Sequence, residues 1–281
     1  MSDLIRIEKP AERITRVILN RPRKANAQNA PLLYALDAAL MEASRDSAAR
    51  VIILAGEGKH FSSGHDLAEI DTKLTGYTPL GVWGGFGDPA MQGFMAYEEE
   101  LYFGLCWRWR NIPKPIVAEV QGKVIAAGLM LVWICDLIVA SEDAVFCDPV
   151  VTTGVNGVEY FAHPWEVGAR KAKEMLFTGQ GITARAAERA GMVSRVVPLE
   201  SLTQETLALA ELIAEKPAMG LRLAKMSVNA AQDEQGFYNA LRAAMSFQHL
   251  AHAQHWALHD TYADPNVEDA ISKVLKLPPR E

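Results

Sequence analysis

The stretch that decides the fold reads Asn111-Ile-Pro-Lys-Pro115-Ile-Val-Ala-Glu-Val120-Gln-Gly-Lys-Val-Ile125-Ala-Ala-Gly-Leu-Met130-Leu-Val-Trp-Ile-Cys135-Asp-Leu-Ile-Val-Ala140, followed after a short turn by Val145-Phe-Cys-Asp-Pro149. Its apolar runs and breakers predict a strand after Pro115, a small-residue turn through Gln121 to Gly128, a short apolar helix to Cys135 and a second strand at Leu137 to Ala140. The first amides of a helix that opens near Ala127 and Gly128 have no partner within it, and the helix dipole favours negative charge there. Small side chains at this turn let a substrate oxygen come close.

Outward from this stretch the same alternation recurs. Leu4 to Ile7 and Ile14 to Leu19 read as strands, the second running into the turn Asn20-Arg21-Pro22. A helix from Pro31 places Leu32, Leu33, Leu36, Ala39, Leu40 and Ala43 at helical spacing, and Val51 to Leu54 is the buried strand that follows. Strand, helix, strand order predicts an α/β core. After Pro149 the chain reads mostly as helices, at Gly157 to Val167, Arg170 to Phe177, Thr183 to Ala190, Leu199 to Glu215, Pro217 to Ala231 and Phe237 to about Tyr262, with one strand at Val193 to Val197. The Lys216-Pro217 step divides a core, residues 1–216, from a C-terminal helical region, residues 217–281. Between Asp71 and Gly93 the periodicity stops and glycines and prolines surround Tyr77, Trp83 and Phe86, so this segment reads as a lid or binding wall, or as a surface excursion or subunit contact.

Composition narrows the function. A chain of 281 residues, about half of them apolar, can bury a large core, and a net charge of -6 offers no basic surface for nucleic acid. Three widely spaced cysteines, Cys106, Cys135 and Cys147, suit reduced thiols in a cytoplasm. The N-terminus lacks the apolar stretch of a signal peptide, and the longest apolar run, Val124 to Cys135, falls short of the roughly 20 residues of a membrane helix. No phosphate-binding loop and no serine-nucleophile elbow is present, and Gly56-Glu-Gly58-Lys-His-Phe61 lacks the third glycine of a dinucleotide loop. His249, His252, His255 and His259 share one helix, but nothing completes a metal-ligand pattern, so no metal is expected.

Three motifs in order, Asn20-Arg-Pro followed by Asn26-Ala, Phe61-Ser-Ser-Gly-His-Asp-Leu67, and the opening stretch, give the chain from about Ile14 to Lys225 a resemblance to the crotonase family, the enoyl-CoA hydratases and isomerases. The resemblance implies an α/β fold, a spiral of ββα units with a C-terminal helical region, assembled as trimers or pairs of trimers. It implies an acyl-CoA thioester substrate, with coenzyme A part of that substrate and no tightly bound cofactor. The family polarises the thioester carbonyl with two backbone amides, which map here onto His65 and Ala127, the latter where glycine is the more usual choice. Arg23, Lys24 and Ala25, with Ser63, Gly64, Asp66, Leu67 and Gly128, map to the coenzyme A path, and Lys225 to a lysine that often reaches a phosphate. Residues mapping to the acyl pocket are Trp83, Met130, Pro149 and Val150.

The two glutamates that hydratases of the family use correspond to Met130 and Val150, neither of which can move a proton. General acid–base catalysis contributes about 10²–10⁴-fold, so ordinary crotonyl-CoA hydration is expected to be slow. Three residues are open as substitutes. Asp148 reads as a turn residue before Pro149 or as a group reaching the pocket. Glu159, four before His163 on an expected shared helix face, reads as a proton carrier or as first-turn charge. The His65 imidazole reads as a titrating group or as a bystander to its own amide. Isomerisation, decarboxylation, carbon–carbon hydrolysis and acyl-CoA binding without catalysis all stay open.

Overall fold

The computed structural model describes residues 3–69, 77, 79 and 84–281, with Glu268 described by its backbone alone. Nine strands occur among the described residues: β1 (Ile5–Ala11), β2 (Ile14–Leu19), β3 (Val51–Gly56), β4 (Ile116–Val120), β5 (Lys123–Ile125), β6 (Leu137–Ser141), β7 (Val145–Cys147), β8 (Ile182–Thr183) and β9 (Arg195–Val197). Six form one sheet in the order β1-β2-β3-β4-β6-β9, parallel except for the β1–β2 hairpin. The others form a smaller sheet, β5-β7-β8. A parallel sheet is covered on both faces, which is why β3 reads as an unbroken apolar run. Alternate residues then face two cores: Ile52, Leu54, Ile116 and Ala118 point one way, and Val51, Ile53, Val117 and Val139 the other.

Ten helices flank the sheets among the described residues: α1 (Ala30–Arg45), α2 (Met91–Glu98), α3 (Leu105–Arg110), α4 (Ala127–Trp133), α5 (His163–Thr178), α6 (Ala184–Ala190), α7 (Leu202–Ala214), α8 (Ala218–Glu234), α9 (Phe237–His259) and α10 (Val267–Val274). The buried stripe of α1, Leu32, Leu33, Leu36, Ala39 and Leu40, packs on one face of the large sheet. Leu209, Ala210 and Ala214 of α7 cover the other. Between α2 and α3 the chain stays helical but widens to a π-helix over Glu99–Gly104. No described helix is long and apolar enough to cross a membrane.

Two expectations about elements need correction. A helix was expected over Gly157 to Val167, yet residues 156–162 are irregular and α5 opens only at His163. Gly157 sits at φ 143°, outside any helix, and Pro164 favours the first turn of a helix, not its interior. Glu159 and His163 therefore do not share a helix face. Val193 to Val197 is also not the one strand after Pro149, because β8 pairs antiparallel with β7. Of the segment from Asp71 to Gly93, residues 71–76, 78 and 80–83, Trp83 among them, lie outside the described residues, whereas Phe86 is buried in the core.

Candidate active site

The two backbone amides proposed to hold an oxyanion are positioned by side chains that stitch loops together. The Asn26 side chain donates to the carbonyls of Glu57, His60 and Phe61, each at 3.0 Å, and accepts from the Arg21 amide at 2.9 Å. Ser62 Oγ donates to Asn26 O at 3.0 Å and accepts from Gln28 Nε2 at 3.1 Å. The segment from Gly64 to Asp66 then bridges to Gln28: Gln28 N donates to Gly64 O at 2.7 Å and Asp66 N to Gln28 O at 2.9 Å. In this parallel bridge the amide of His65 itself takes no part.

Across from it, Ala126 adopts φ 48° and ψ -121°, a backbone state non-glycine residues rarely enter, with its amide held by Cys147 O at 2.8 Å. This turn makes Ala127 the first residue of α4, where an amide has no partner four residues back. Gly64 faces it. A Cβ at Gly64 would lie 3.1 Å from the Ala127 nitrogen and 2.7 Å from Ile125 O, so only glycine leaves that amide uncovered. Likewise a Cβ at Gly128 would stand 2.6 Å from Ser62 O, which explains glycine at the place where α4 meets the 61–64 segment.

Ser63, His65, Leu67, Ala126, Pro149 and Val150 line part of a cavity of about 470 Å³. Its polar wall is a chain of buried side chains. His65 Nε2 lies 3.1 Å from Glu159 Oε2, and the His65 ring stacks on Tyr102, centroids 3.7 Å apart. The Gln248 amide donates from Nε2 to Glu159 Oε1 at 3.3 Å, and the same nitrogen is 3.3 Å from His252 Nε2. His252 Nε2 lies 3.1 Å from Glu98 Oε1, while its Nδ1 donates to Tyr262 O. His249 Nε2 approaches the other oxygen of Glu98 at 3.3 Å. Burial pushes the Glu98 carboxyl up, but His252 and His249 outweigh burial and bring it down to about 2. Burial likewise pushes His252 down, and Glu98 reverses this and raises it to about 9.

The other residues singled out from the sequence are placed differently. Asp148 is fully buried behind the wall and is not among the residues lining the cavity. Its oxygens accept from the amides of Val150 at 3.0 Å and Val158 at 3.1 Å, and Oδ2 also meets His163 Nε2 at 2.7 Å. Met130 is core, its sulfur accepting from the Tyr160 amide at 3.4 Å. Asp66 is engaged by Arg21 Nη2 at 3.1 Å. Arg23 and Lys24 are exposed on a turn, and Ser63 N donates to Ala25 O at 2.9 Å, so this turn runs beside the 61–67 segment. Lys225 does not stand free for a phosphate within this chain: it donates to Asp136 Oδ2 at 2.8 Å and Lys114 O at 3.1 Å and is buried. Among the described residues no group of His, Cys, Asp and Glu side chains is arranged to hold a metal ion.

Sequence reasoning missed Glu98, Tyr102 and Gln248, and named His252 only within a row of four histidines on one helix. Gln248 and His252 stand four apart on α9, a spacing that puts both on one face, but nothing in the sequence says that this face meets Glu98 and Glu159.

A sequence model of the enoyl-CoA hydratase/isomerase family matches residues 9–79 and 90–260. The chain belongs to the enoyl-CoA hydratase/isomerase family. It is 44% identical to the putative enoyl-CoA hydratase EchA13 of Mycobacterium tuberculosis, over 93% of this chain and 88% of that protein. Among solved structures it resembles a probable enoyl-CoA hydratase of Mycobacterium smegmatis, with a TM-score of 0.84 at 44% identity over 92% of this chain and 99% of that one. An enoyl-CoA hydratase/isomerase of Xanthobacter autotrophicus Py2 superposes with a TM-score of 0.81 at 27% identity, covering 98% and 97% of the two chains. The crotonase fold and its helical C-terminal region thus stand, and the family acts on CoA thioesters.

Proposed function

We propose that this chain forms an acyl-CoA thioester enolate at the amides of His65 and Ala127 and that the His65–Glu159 pair moves the proton. The observation that carries this reading is the 3.1 Å contact between His65 Nε2 and Glu159 Oε2 in the wall of the cavity that also holds the Ala126 turn. Glu159 accepts a hydrogen bond from His65 Nε2–H, and because His65 Nδ1 is buried, the Glu159 carboxylate in the cavity wall is the basic end of the pair. The base takes a proton from the carbon next to the thioester. The C–H electron pair becomes the enolate, with its charge on the oxygen held by the two amides, and the proton returns to the same carbon or to one further along a conjugated chain. One pair that takes and returns a proton fits isomerisation better than hydration, which adds a water that two separate groups usually handle. The names of the 44% identical relatives favour hydration as a second reading.

Coenzyme A would run along Ser63 to Leu67 past the exposed Arg23 and Lys24. Asp148 is left as a brace for the turn at Val150. The exposed apolar residues Leu223, Met226, Phe247 and Leu250 on α8 and α9, each more than half exposed, support a homo-oligomer, a trimer or a pair of trimers, closed by residues 217–281. The three unpaired cysteines and the net charge of -6 support a cytoplasmic enzyme that does not bind nucleic acid.

The test is a panel of acyl- and enoyl-CoA thioesters incubated in D₂O and read by mass spectrometry. Deuterium gain without water gain, lost in Glu159→Gln, is the expected result. Rapid water addition to crotonyl-CoA that survives Glu159→Gln would contradict it.

A further inference from the structure

The wall behind Glu159 holds more charge than the proton-moving pair needs. Glu98, Gln248 and His252 are 1%, 2% and 7% exposed, and all three line the cavity. Buried ion pairs contribute little net stability, because removing two charges from water roughly offsets their attraction. An ion pair kept in a cavity wall whose other side chains are largely apolar therefore calls for a role other than stability. The contacts themselves supply one. The His252 ring meets a carboxylate at Nε2 and a backbone carbonyl at Nδ1, and both of those are acceptors. Both ring nitrogens must then carry protons, so His252 is an imidazolium with no lone pair for Gln248. The Gln248 NH₂, 3.3 Å from His252 Nε2, is left with Glu159 Oε1 as its acceptor. Were His252 neutral with its proton on Nδ1, its Nε2 lone pair would compete for the same amide hydrogens.

From this we propose that Glu98, His252 and Gln248 are positioning residues for the acid–base pair. The charge of Glu98 keeps His252 cationic, cationic His252 turns the Gln248 amide toward Glu159, and Gln248 occupies one carboxylate oxygen so that the other is presented to His65. The relay joins three elements that are distant in sequence: the end of α2 beside the π-helical turn, the middle of α9 and the irregular segment before α5. The inference rests on the enolate reading above and deepens it. It says that the reactive geometry is set from α9.

The experiment uses the full chain and, as its probe, whichever straight-chain acyl-CoA of the panel exchanges its α-hydrogen fastest in D₂O. Rates for wild type, Glu159→Gln, Gln248→Leu, Glu98→Gln and Glu98→Leu are fitted for kcat and KM separately, with thermal melting as the folding check. Gln248→Leu removes the amide while leaving an uncharged side chain of moderate bulk, and is expected to lower kcat about tenfold or more with KM within twofold. Glu98→Gln keeps an oxygen that accepts from His252 but not the charge, and is expected to fall between wild type and Glu98→Leu in kcat. A structural role alone would move melting and KM together and would not produce that graded rescue. If Glu159→Gln abolishes exchange while Gln248→Leu and both Glu98 variants keep wild-type kcat, the relay is overturned and the enolate reading stands. If wild type exchanges no member of the panel, or Glu159→Gln exchanges as wild type does, the enolate reading fails and the relay with it.

Discussion

At the scale of single residues, the site depends on backbone groups that side chains only aim. Ala127→Pro deletes one amide at a helix position that tolerates proline, and the loss of one oxyanion donor is expected to lower kcat by about 10²–10³-fold. Ala127→Gly, which keeps the amide, is the control and should retain activity; equal kcat in both variants would remove Ala127 from the hole. Lys225 makes a different prediction. It forms a part-buried ion pair with Asp136, whose carboxyl stays above its ordinary value because burial outweighs the pull of Lys225. Lys225→Met should lower stability by about 2 kcal/mol in chemical denaturation, below the usual figure for a broken buried pair because Asp136 keeps 26% of its side chain exposed. Unchanged stability with weaker, salt-sensitive CoA binding would return Lys225 to the phosphate role that its motif implies. The turn at Ala126 and the start of α4 at Ala127 were legible in the sequence because small residues and a helix start are local features. His65 and Glu159 were each open candidates in the sequence, but their pairing was not legible, since they lie 94 residues apart and meet only through the fold.

At the scale of elements, what the sequence hides is where a helix begins and which face it shows. The spacing of Glu159 and His163 suggested one shared face, but α5 opens at His163, which sends His163 to Asp148 and frees Glu159 to meet His65. The strands and α1 could be read directly because their apolar period matches the burial that results. The contact between α2 and α9 also carries a pH dependence. The Glu98 carboxyl is lowered, so its contribution is present above its ordinary value and is lost as pH falls through about 2. His252 is raised, so its contribution is fully present below about 6.5 and is lost as pH rises through about 9. The melting temperature of wild type should thus decline between about pH 6.5 and 9 more steeply than that of Glu98→Gln, in which His252 has no carboxylate to hold its proton. Parallel curves for the two proteins over this range would show that the pair contributes nothing to stability.

At the scale of the whole molecule, the crotonase fold places a strained turn, a glycine-cleared approach and a buried polar wall around one cavity, and the last two α-helices complete that wall. Helices α8 and α9 expose Leu223, Phe247 and Leu250, each more than half exposed, on surface that a second copy of the chain would cover in the proposed oligomer. Phe247→Glu combined with Leu250→Lys should dissociate the proposed oligomer in sedimentation velocity; an unchanged sedimentation coefficient would place the contact elsewhere. Family and fold were legible because three motifs and the apolar pattern span most of the chain. The chemistry was legible only in outline, because the pair proposed in place of the two glutamates joins the 61–67 segment to the segment before α5, with α2 and α9 behind it. The central claim is that one His65–Glu159 pair moves the proton of a thioester whose oxygen rests on two backbone amides. Its most direct test is the rate of α-hydrogen exchange of an acyl-CoA in D₂O, compared between wild type and Glu159→Gln at matched CoA occupancy. The account predicts a loss of about 10²-fold or more in exchange with CoA binding intact, and an exchange rate equal to that of wild type would contradict it.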